Sequence, residues 1–258
     1  MSPRSLAYRA YEWWLRRRLA DAELPHHVAL IMDGNRRWAR QMGHADPSVG
    51  HRHGAEHLRE VLGWCRELGI RHVTVWVASA DNIRKRASSE VSFLMHLSET
   101  TIARELSRDR QWRIHLAGRL DLLPDSTVHA LKDAQDATRD VEAGGDLTIA
   151  IGYGGREEIV MAVRSLLDEA ALHGRRLDDV AASLAEGDIA RYLDARDLPY
   201  PDLVIRTSGE QRLSDFMLWQ GVNADLSFVD TYWPAFRRVD LLRLLRQYAA
   251  RHGGTARK

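Results

Sequence analysis

Short apolar runs alternate with longer amphipathic stretches along nearly the whole of this chain. That alternation confines the fold to parallel strands joined by helical crossovers. HVALIMD at 27–33 precedes a stretch of helical period at 53–69, HGAEHLREVLGWCRELG. VTVWVAS (73–79) is followed by VSFLMHLSETTIAREL (91–106), and WRIHLAG (112–118) by a helix near 124–139. LTIAIGYG (147–154) leads into REEIVMAVRSLLDEAAL (156–172). A helical stretch near 176–194 comes next, then DLVIRT (202–207), a mixed segment to about Phe228 and a last helix at 239–252. The strands are apolar on successive residues, as strands are when helices cover both faces of a sheet. One α/β domain is expected over 23–252, because Pro25, Gly43, Gly69, Gly118, Gly144, Gly145 and Pro201 end elements without opening a linker between domains.

Outside that domain, residues 1–22 read as an amphipathic helix and 253–258 as a tail that frays. The helix sets Leu6, Tyr8, Trp13, Trp14 and Leu15 beside Arg16, Arg17 and Arg18. Packing on the domain or on a partner is its expected role, and a weak peripheral contact with a membrane surface is the alternative. No run approaches the roughly 18 apolar residues of a spanning helix. A formal net charge of +1, from 37 basic and 36 acidic residues, argues against a surface built to coat nucleic acid. A single cysteine, Cys65, excludes an internal disulfide and any multi-thiolate zinc site, so a reducing cytoplasm is the expected compartment.

In parallel α/β sheets ligands gather beyond the carboxyl ends of the strands. Here those ends read DGNRRW, SADNIRKR, GYGGREE and RTSGEQRLS. Neither a GxxxxGK[ST] loop nor a spaced GxGxxG is present, which removes the usual nucleotide chemistries. Asp33-Gly34-Asn35-Arg36-Arg37-Trp38 follows a strand and opens a helix. It therefore brings free amides, two guanidiniums and a carboxylate suited to Mg²⁺ to one point. An Asp N-cap with surface arginines is the other reading of that segment. Arg206 through Ser214 offer two guanidinium forks and several hydroxyls around Gly209; the alternative is a polar loop in which Glu210 merely pairs an arginine. His51, His53 and His57 lack a third metal ligand, and one of them is better read as a hydrogen-bond donor to an anion. Asp178 and Asp179 read as helix N-terminal acids and Cys65 as core.

Taken in order, HVALIMDGNRRWA, GYGGREEIV, DLVIRTSGEQRLSDFMLWQ and WPAF resemble the cis-prenyltransferase family, the undecaprenyl diphosphate synthase type, over nearly the whole chain. The resemblance implies a fold of about six mostly parallel strands flanked by helices, a homodimer, Mg²⁺, and an allylic prenyl diphosphate joined to a second C5 prenyl diphosphate. By position, Asp33 resembles the family's Mg²⁺ aspartate. Gly34, Asn35, Arg36, Arg37 and His51 would grip the allylic diphosphate and Trp38 would flank its tail. Ser79 and Asn82 match an S-x-x-N element at the reacting end of the substrates, with Asn82 assisting proton removal, and Arg206, Arg212 and Ser214 match the second diphosphate pocket. The DDxxD cluster of trans-type synthases is missing.

The departures cluster around the second substrate. Ser79-Ala80-Asp81-Asn82-Ile83 shortens the family's acid and removes an indole, leaving Arg84, Lys85 or Arg86 as the phosphate-binding cation, with Arg86 favoured. Asp225 replaces the glutamate that helps hold Mg²⁺ through the dimer partner, Gln211 stands where some members have histidine, and Asp46-Pro47 occupy a loop that usually carries arginine. A carboxylate retracted by one methylene moves by roughly 1.5 Å, enough to reseat an acceptor. These changes favour head-to-middle, lavandulyl-type coupling with dimethylallyl diphosphate as acceptor. Regular head-to-tail synthesis with isopentenyl diphosphate and a non-catalytic partner subunit are the alternatives. Trp76, Val77, Met95 and Leu97, on presumed tunnel elements, point to a C10 to C15 product, or else are simply core.

Overall fold

The computed structural model describes residues 3–86, 88–142 and 144–253. Six strands form one sheet: β1 (His27–Ile31), β2 (His72–Ser79), β3 (Arg113–Ala117), β4 (Asp146–Tyr153), β5 (Leu203–Thr207) and β6 (Asp225–Val229). Their order is β3-β4-β2-β1-β5-β6, and every neighbouring pair is parallel. The expected architecture is therefore met, and the strand hidden in the mixed segment is β6 at the sheet edge. Every residue of β1 and β5 is buried, which explains why both read as unbroken apolar runs. After β1 the chain first builds toward β2, and only later returns to the opposite flank of β1 as β5. The carboxyl ends of β1 and β5 thus border a topological switch point.

The helices are α1 (Pro3–Leu19), α2 (Asn35–Gln41), α3 (Ser48–Glu67), α4 (Ala80–Lys85), α5 (Ser88–Leu97), α6 (Leu106–Asp109), α7 (Asp125–Thr138), α8 (Gly155–Leu172), α9 (Leu177–Ser183), α10 (Glu186–Ala190) and α11 (Arg238–His252). The single helix expected over 176–194 is thus two short ones, α9 and α10. The helix expected at 91–106 becomes α5 and α6 with a π-helical segment, Ser98–Glu105, between them. Ser98 Oγ donates to Leu94 O and Thr100 Oγ1 to His96 O, and such back-bonding competes with the regular ladder where the pitch changes.

The main core fills one face of the sheet. Val28, Leu30, Val73 and Val75 there meet Leu58 and Leu62 of α3, Met95 of α5, Leu131 of α7 and Leu241 of α11. A second cluster on the other face joins Ala29, Ile31, Ala150 and Val204 to Phe216 and Met217 of the segment before β6. Cys65 is buried in the main core. α1 packs along α11 through Leu15 and Leu19, so the helix expected in 1–22 joins the domain, while Trp13 stays 61% exposed. Of the expected tail 253–258, all but Gly253 lies outside the described residues. Among the described residues no helix is long and apolar enough to cross a membrane.

His27 ties β1 to its surroundings in one protonation state. The Pro199 carbonyl can only accept, so Nδ1 carries the proton (2.7 Å), and Nε2 accepts from Thr74 Oγ1 (2.8 Å). Burial drives its pKa from 6.5 down to about 4. The unfolded chain takes up this proton near pH 6.5 and the folded chain only near 4. Stability therefore falls as pH drops through that window, by up to about 3 kcal/mol. Urea unfolding of wild type and His27→Asn between pH 7 and 4 tests this, with the acid-dependent loss expected to be shallower in the variant.

Candidate active site

A cleft of about 730 Å³ opens at the carboxyl ends of β1, β2 and β5, where the switch point puts it. Six arginines line it (Arg36, Arg37, Arg40, Arg86, Arg206 and Arg212) against three carboxylates, Asp33, Asp81 and Glu210. Such a surplus of guanidiniums selects a multiply charged anion, for which their planar forks are suited. Ile31, Met32, Trp76, Val77 and Ala78 supply its apolar walls, and the Trp76 indole stacks on Phe216 with ring centres 5.1 Å apart.

Asp33 stands at the centre, two residues beyond β1. Its Oδ1 accepts from Gly34 N (2.7 Å) and its Oδ2 from Arg206 Nη2 (2.9 Å), with Arg37 Nη2 3.5 Å away. Burial alone would raise the pKa of this carboxyl, but the hydrogen bond and charge of Arg206, with help from Ser208 and Arg37, hold it below its ordinary value. Its backbone is clasped by Thr207, whose Oγ1 accepts from Asp33 N (3.0 Å) and donates to Asp33 O (2.7 Å). Gly34 turns the chain at φ +102°, and a β-carbon there would lie 2.7 Å from the Tyr232 ring, so only glycine fits.

On α2, Arg36 and Arg37 face the cleft but Trp38 does not. Its ring lies against His53 and His44, at 5.0 and 6.2 Å. Successive helical residues are about 100° apart, which brings Arg40 back beside Arg36 and turns Trp38 to the far side. The expectation that Trp38 flanks the substrate tail is corrected accordingly. Asn35 lines the cleft wall, but its amide donates to Met32 O (3.1 Å) and holds the turn. α3 crosses α2 so closely that a β-carbon on Gly50 would sit 2.0 Å from Asn35 O. That approach carries His51 to the cleft, where Nε2 donates to Glu90 Oε1 (3.3 Å); burial first, then Arg86, lowers its pKa.

Ser79 caps α4 by accepting from Asn82 N (2.9 Å), and Ser79, Asp81 and Asn82 all reach the cleft. Ala80 does not: it is buried in the first turn of α4, a second correction to the expected site. Of the three cations after it, Arg84 pairs with Glu157 (2.9 Å) and Lys85 with Asp81 (2.7 Å), leaving Arg86 as the one that lines the cleft. Behind the cleft Glu90 gathers Arg86 (2.8 Å), His51 and Arg36 (3.6 Å), a role no motif had signalled. Arg206, buried, donates to Ser214 Oγ (2.7 Å) and Arg212 O (2.5 Å) as well as to Asp33. Glu210 pairs with Arg212 (2.6 Å) and Arg37 (3.6 Å). Asp225 begins β6, about 13 Å of strand away from the end bordering the cleft, and meets Arg251 (2.9 Å) and His252 (3.1 Å). Within one chain it is not brought to Asp33.

Residues 31–254 match the family model of undecaprenyl diphosphate synthase. The chain belongs to this family. An isoprenyl transferase of Streptomyces fradiae is 55% identical, covering 97% of this chain and 98% of its own length. A (2Z,6E)-farnesyl diphosphate synthase of Thermobifida fusca is 48% identical, covering 95% and 94%. Among solved structures, lavandulyl diphosphate synthase from Lavandula x intermedia in complex with dimethylallyl diphosphate superposes with a TM-score of 0.80, at 31% identity over 88% of this chain and 95% of that one. The protein is thus a prenyltransferase with the fold of that enzyme.

In this prenyltransferase the fork of Arg206 bridges Asp33, Ser214 and the Arg212 carbonyl at once, which a lysine ammonium lacks the span to do. Arg206→Lys is expected to keep the circular dichroism of wild type while lowering kcat/KM by about a hundredfold or more. Steady-state kinetics with prenyl diphosphates measure this, and a change under threefold would remove Arg206 from the site.

Proposed function

We propose that this prenyltransferase is a Mg²⁺-dependent short-chain Z-prenyl diphosphate synthase. It joins an allylic C5 or C10 diphosphate to isopentenyl diphosphate, head to tail, and releases a C10 to C15 product. The observation that carries the reading is one cleft lined by six arginines, with an ionised Asp33 held by Arg206 and Arg37 and apolar walls that include Trp76, itself stacked on Phe216. The (2Z,6E)-farnesyl diphosphate synthase names borne by relatives at 41 to 48% identity support regular coupling. Head-to-middle coupling rests on Asp81, Asp225, the missing indole, Gln211 and Asp46-Pro47; of these, the charges of Asp81 and Asp225 in this chain go to Lys85 and to Arg251 and His252. The likeness to a lavandulyl diphosphate synthase holding dimethylallyl diphosphate also supports it.

Asp33 would hold the Mg²⁺, and the residues fit it. Its side chain is one-third exposed and ionised, and among the described residues no group of three or more metal-ligating side chains forms an all-protein cage. One carboxylate plus substrate phosphate oxygens is the usual way this ion is held. When bound it neutralises charge developing on the departing diphosphate. Arg36, Arg37, His51 and Arg86 bind the allylic diphosphate and orient its C1 toward the acceptor. Arg206, Arg212 and Ser214 hold the second diphosphate. Asn82, whose backbone N–H caps onto Ser79, assists removal of the proton lost from the acceptor, which passes to an oxygen of the departing diphosphate, and the apolar walls exclude water from the allylic cation. Trp76 and Val77 limit the chain from within the cleft, whereas Met95 and Leu97 are core residues.

A homodimer belongs to the same proposal, supported by Val222 and Leu226, 73% and 44% exposed, beside and on the edge strand β6. So do a cytoplasmic setting, supported by the lone buried Cys65, and a weak membrane contact through exposed Trp13. A Mg²⁺ assay with dimethylallyl or geranyl diphosphate, each with and without isopentenyl diphosphate, tests the reaction. Linear Z products that require isopentenyl diphosphate are expected; branched products formed without it would establish head-to-middle coupling instead. Trp76→Ala is expected to shift the products toward longer chains by mass spectrometry.

A further inference from the structure

Ser208 holds a backbone conformation that serine disfavours. Its φ is +81°, in the left-handed region where a β-carbon is crowded, and Gly209 follows at φ +78°. The residue is buried, 7% exposed, and its N–H donates to Thr231 O (2.9 Å). Glycine would take this turn without strain, so the hydroxymethyl group has another use.

Both of its oxygens meet one side chain. Arg37 Nη2 donates to Ser208 Oγ at 2.6 Å and Nη1 reaches Ser208 O at 3.4 Å. The other polar contacts of that guanidinium are Asp33 at 3.5 Å and Glu210 at 3.6 Å, and Tyr232 offers a ring face at 5.4 Å. Arg37 is 40% exposed, and the contact with Ser208 Oγ is the shortest of those that fix its direction. Ser208 also lies directly under the turn after Asp33, its β-carbon 3.1 Å from where one on Gly34 would be.

We propose that Ser208 is a positioning residue that aims the Arg37 guanidinium at the diphosphate of the allylic substrate. This rests on the functional reading above. Arg37 donates to Ser208 Oγ and reaches Ser208 O, so the direction of a guanidinium on α2 is set by one residue of the β5 loop. The strained backbone is retained because it places that hydroxyl against the Arg37 guanidinium.

Ser208→Gly separates this role from a structural one, because its two effects have opposite signs. The variant relieves the strain, so its Tm is expected at or above wild type, while Ser208→Ala, which keeps the strain and loses the hydroxyl, falls below. Both are expected to bind inorganic pyrophosphate about tenfold more weakly by calorimetry in Mg²⁺ buffer. Both should raise the KM for the allylic diphosphate by a similar factor and that for isopentenyl diphosphate by less than about twofold. In an Arg37→Ala background, adding Ser208→Gly should cost no further affinity. Wild-type affinity in Ser208→Gly, an equal loss without Arg37, or a lowered Tm in Ser208→Gly overturns the inference while leaving the functional reading intact. Wild-type protein that binds no pyrophosphate overturns both.

Discussion

The contact on which the site depends is the ion pair between Arg206 and Asp33, made across the gap between β5 and β1. Arg206 is buried one residue before the end of β5, where an unpartnered guanidinium would cost several kcal/mol. Its partner must therefore be held in place, and the surroundings of Asp33 do this. Thr207 clasps the backbone from the adjoining strand, Trp233 N donates to its carbonyl, and Gly34 turns the chain so tightly that the carboxylate accepts the next amide. The pairing of β1 with β5 aligns Ile31 with Arg206, so the register of the sheet is what brings pair and clasp together.

Around that pair the cleft is organised by carboxylates placed behind or beside cations. Glu90 draws Arg36, His51 and Arg86 from three separate segments, and Glu210 steadies Arg37 and Arg212. Arg36, Arg37, Arg86 and Arg212 each have a carboxylate partner before a ligand arrives, so less side-chain entropy is lost on binding. Six guanidiniums against three acids on the lining leave the balance positive, which is what a multiply charged anion requires.

Much of this was legible along the chain. Strand-helix alternation and the polar DGNRRW and RTSGEQRLS ends pointed to the architecture and to the two halves of the anion site, because both are encoded by near neighbours. What was misread depended on direction. Trp38 lies in the motif yet turns away from the cleft, since adjacent helical residues face different ways. Ala80 sits between two cleft residues and is buried. Arg86 could not be told from Arg84 and Lys85 until Glu157 and Asp81 were seen to take the other two. Glu90 carried no signal because its partners are distant in sequence, and β6 was hidden because an edge strand needs no continuous apolar run.

The sequence by itself determined the alternation of elements, hence a parallel sheet with its ligand end at the carboxyl termini of the strands, and which residue types gather there. Hydrophobic period and turn chemistry are local, so they can be read without coordinates. Only the tertiary structure decided which guanidinium faces the cleft, which carboxylate stands behind it, and that Ser208 bears a strained conformation against Arg37. Those outcomes follow from strand order and helix crossing, such as the approach of α3 to α2 at Gly50, which place residues far apart in the chain within hydrogen-bond reach.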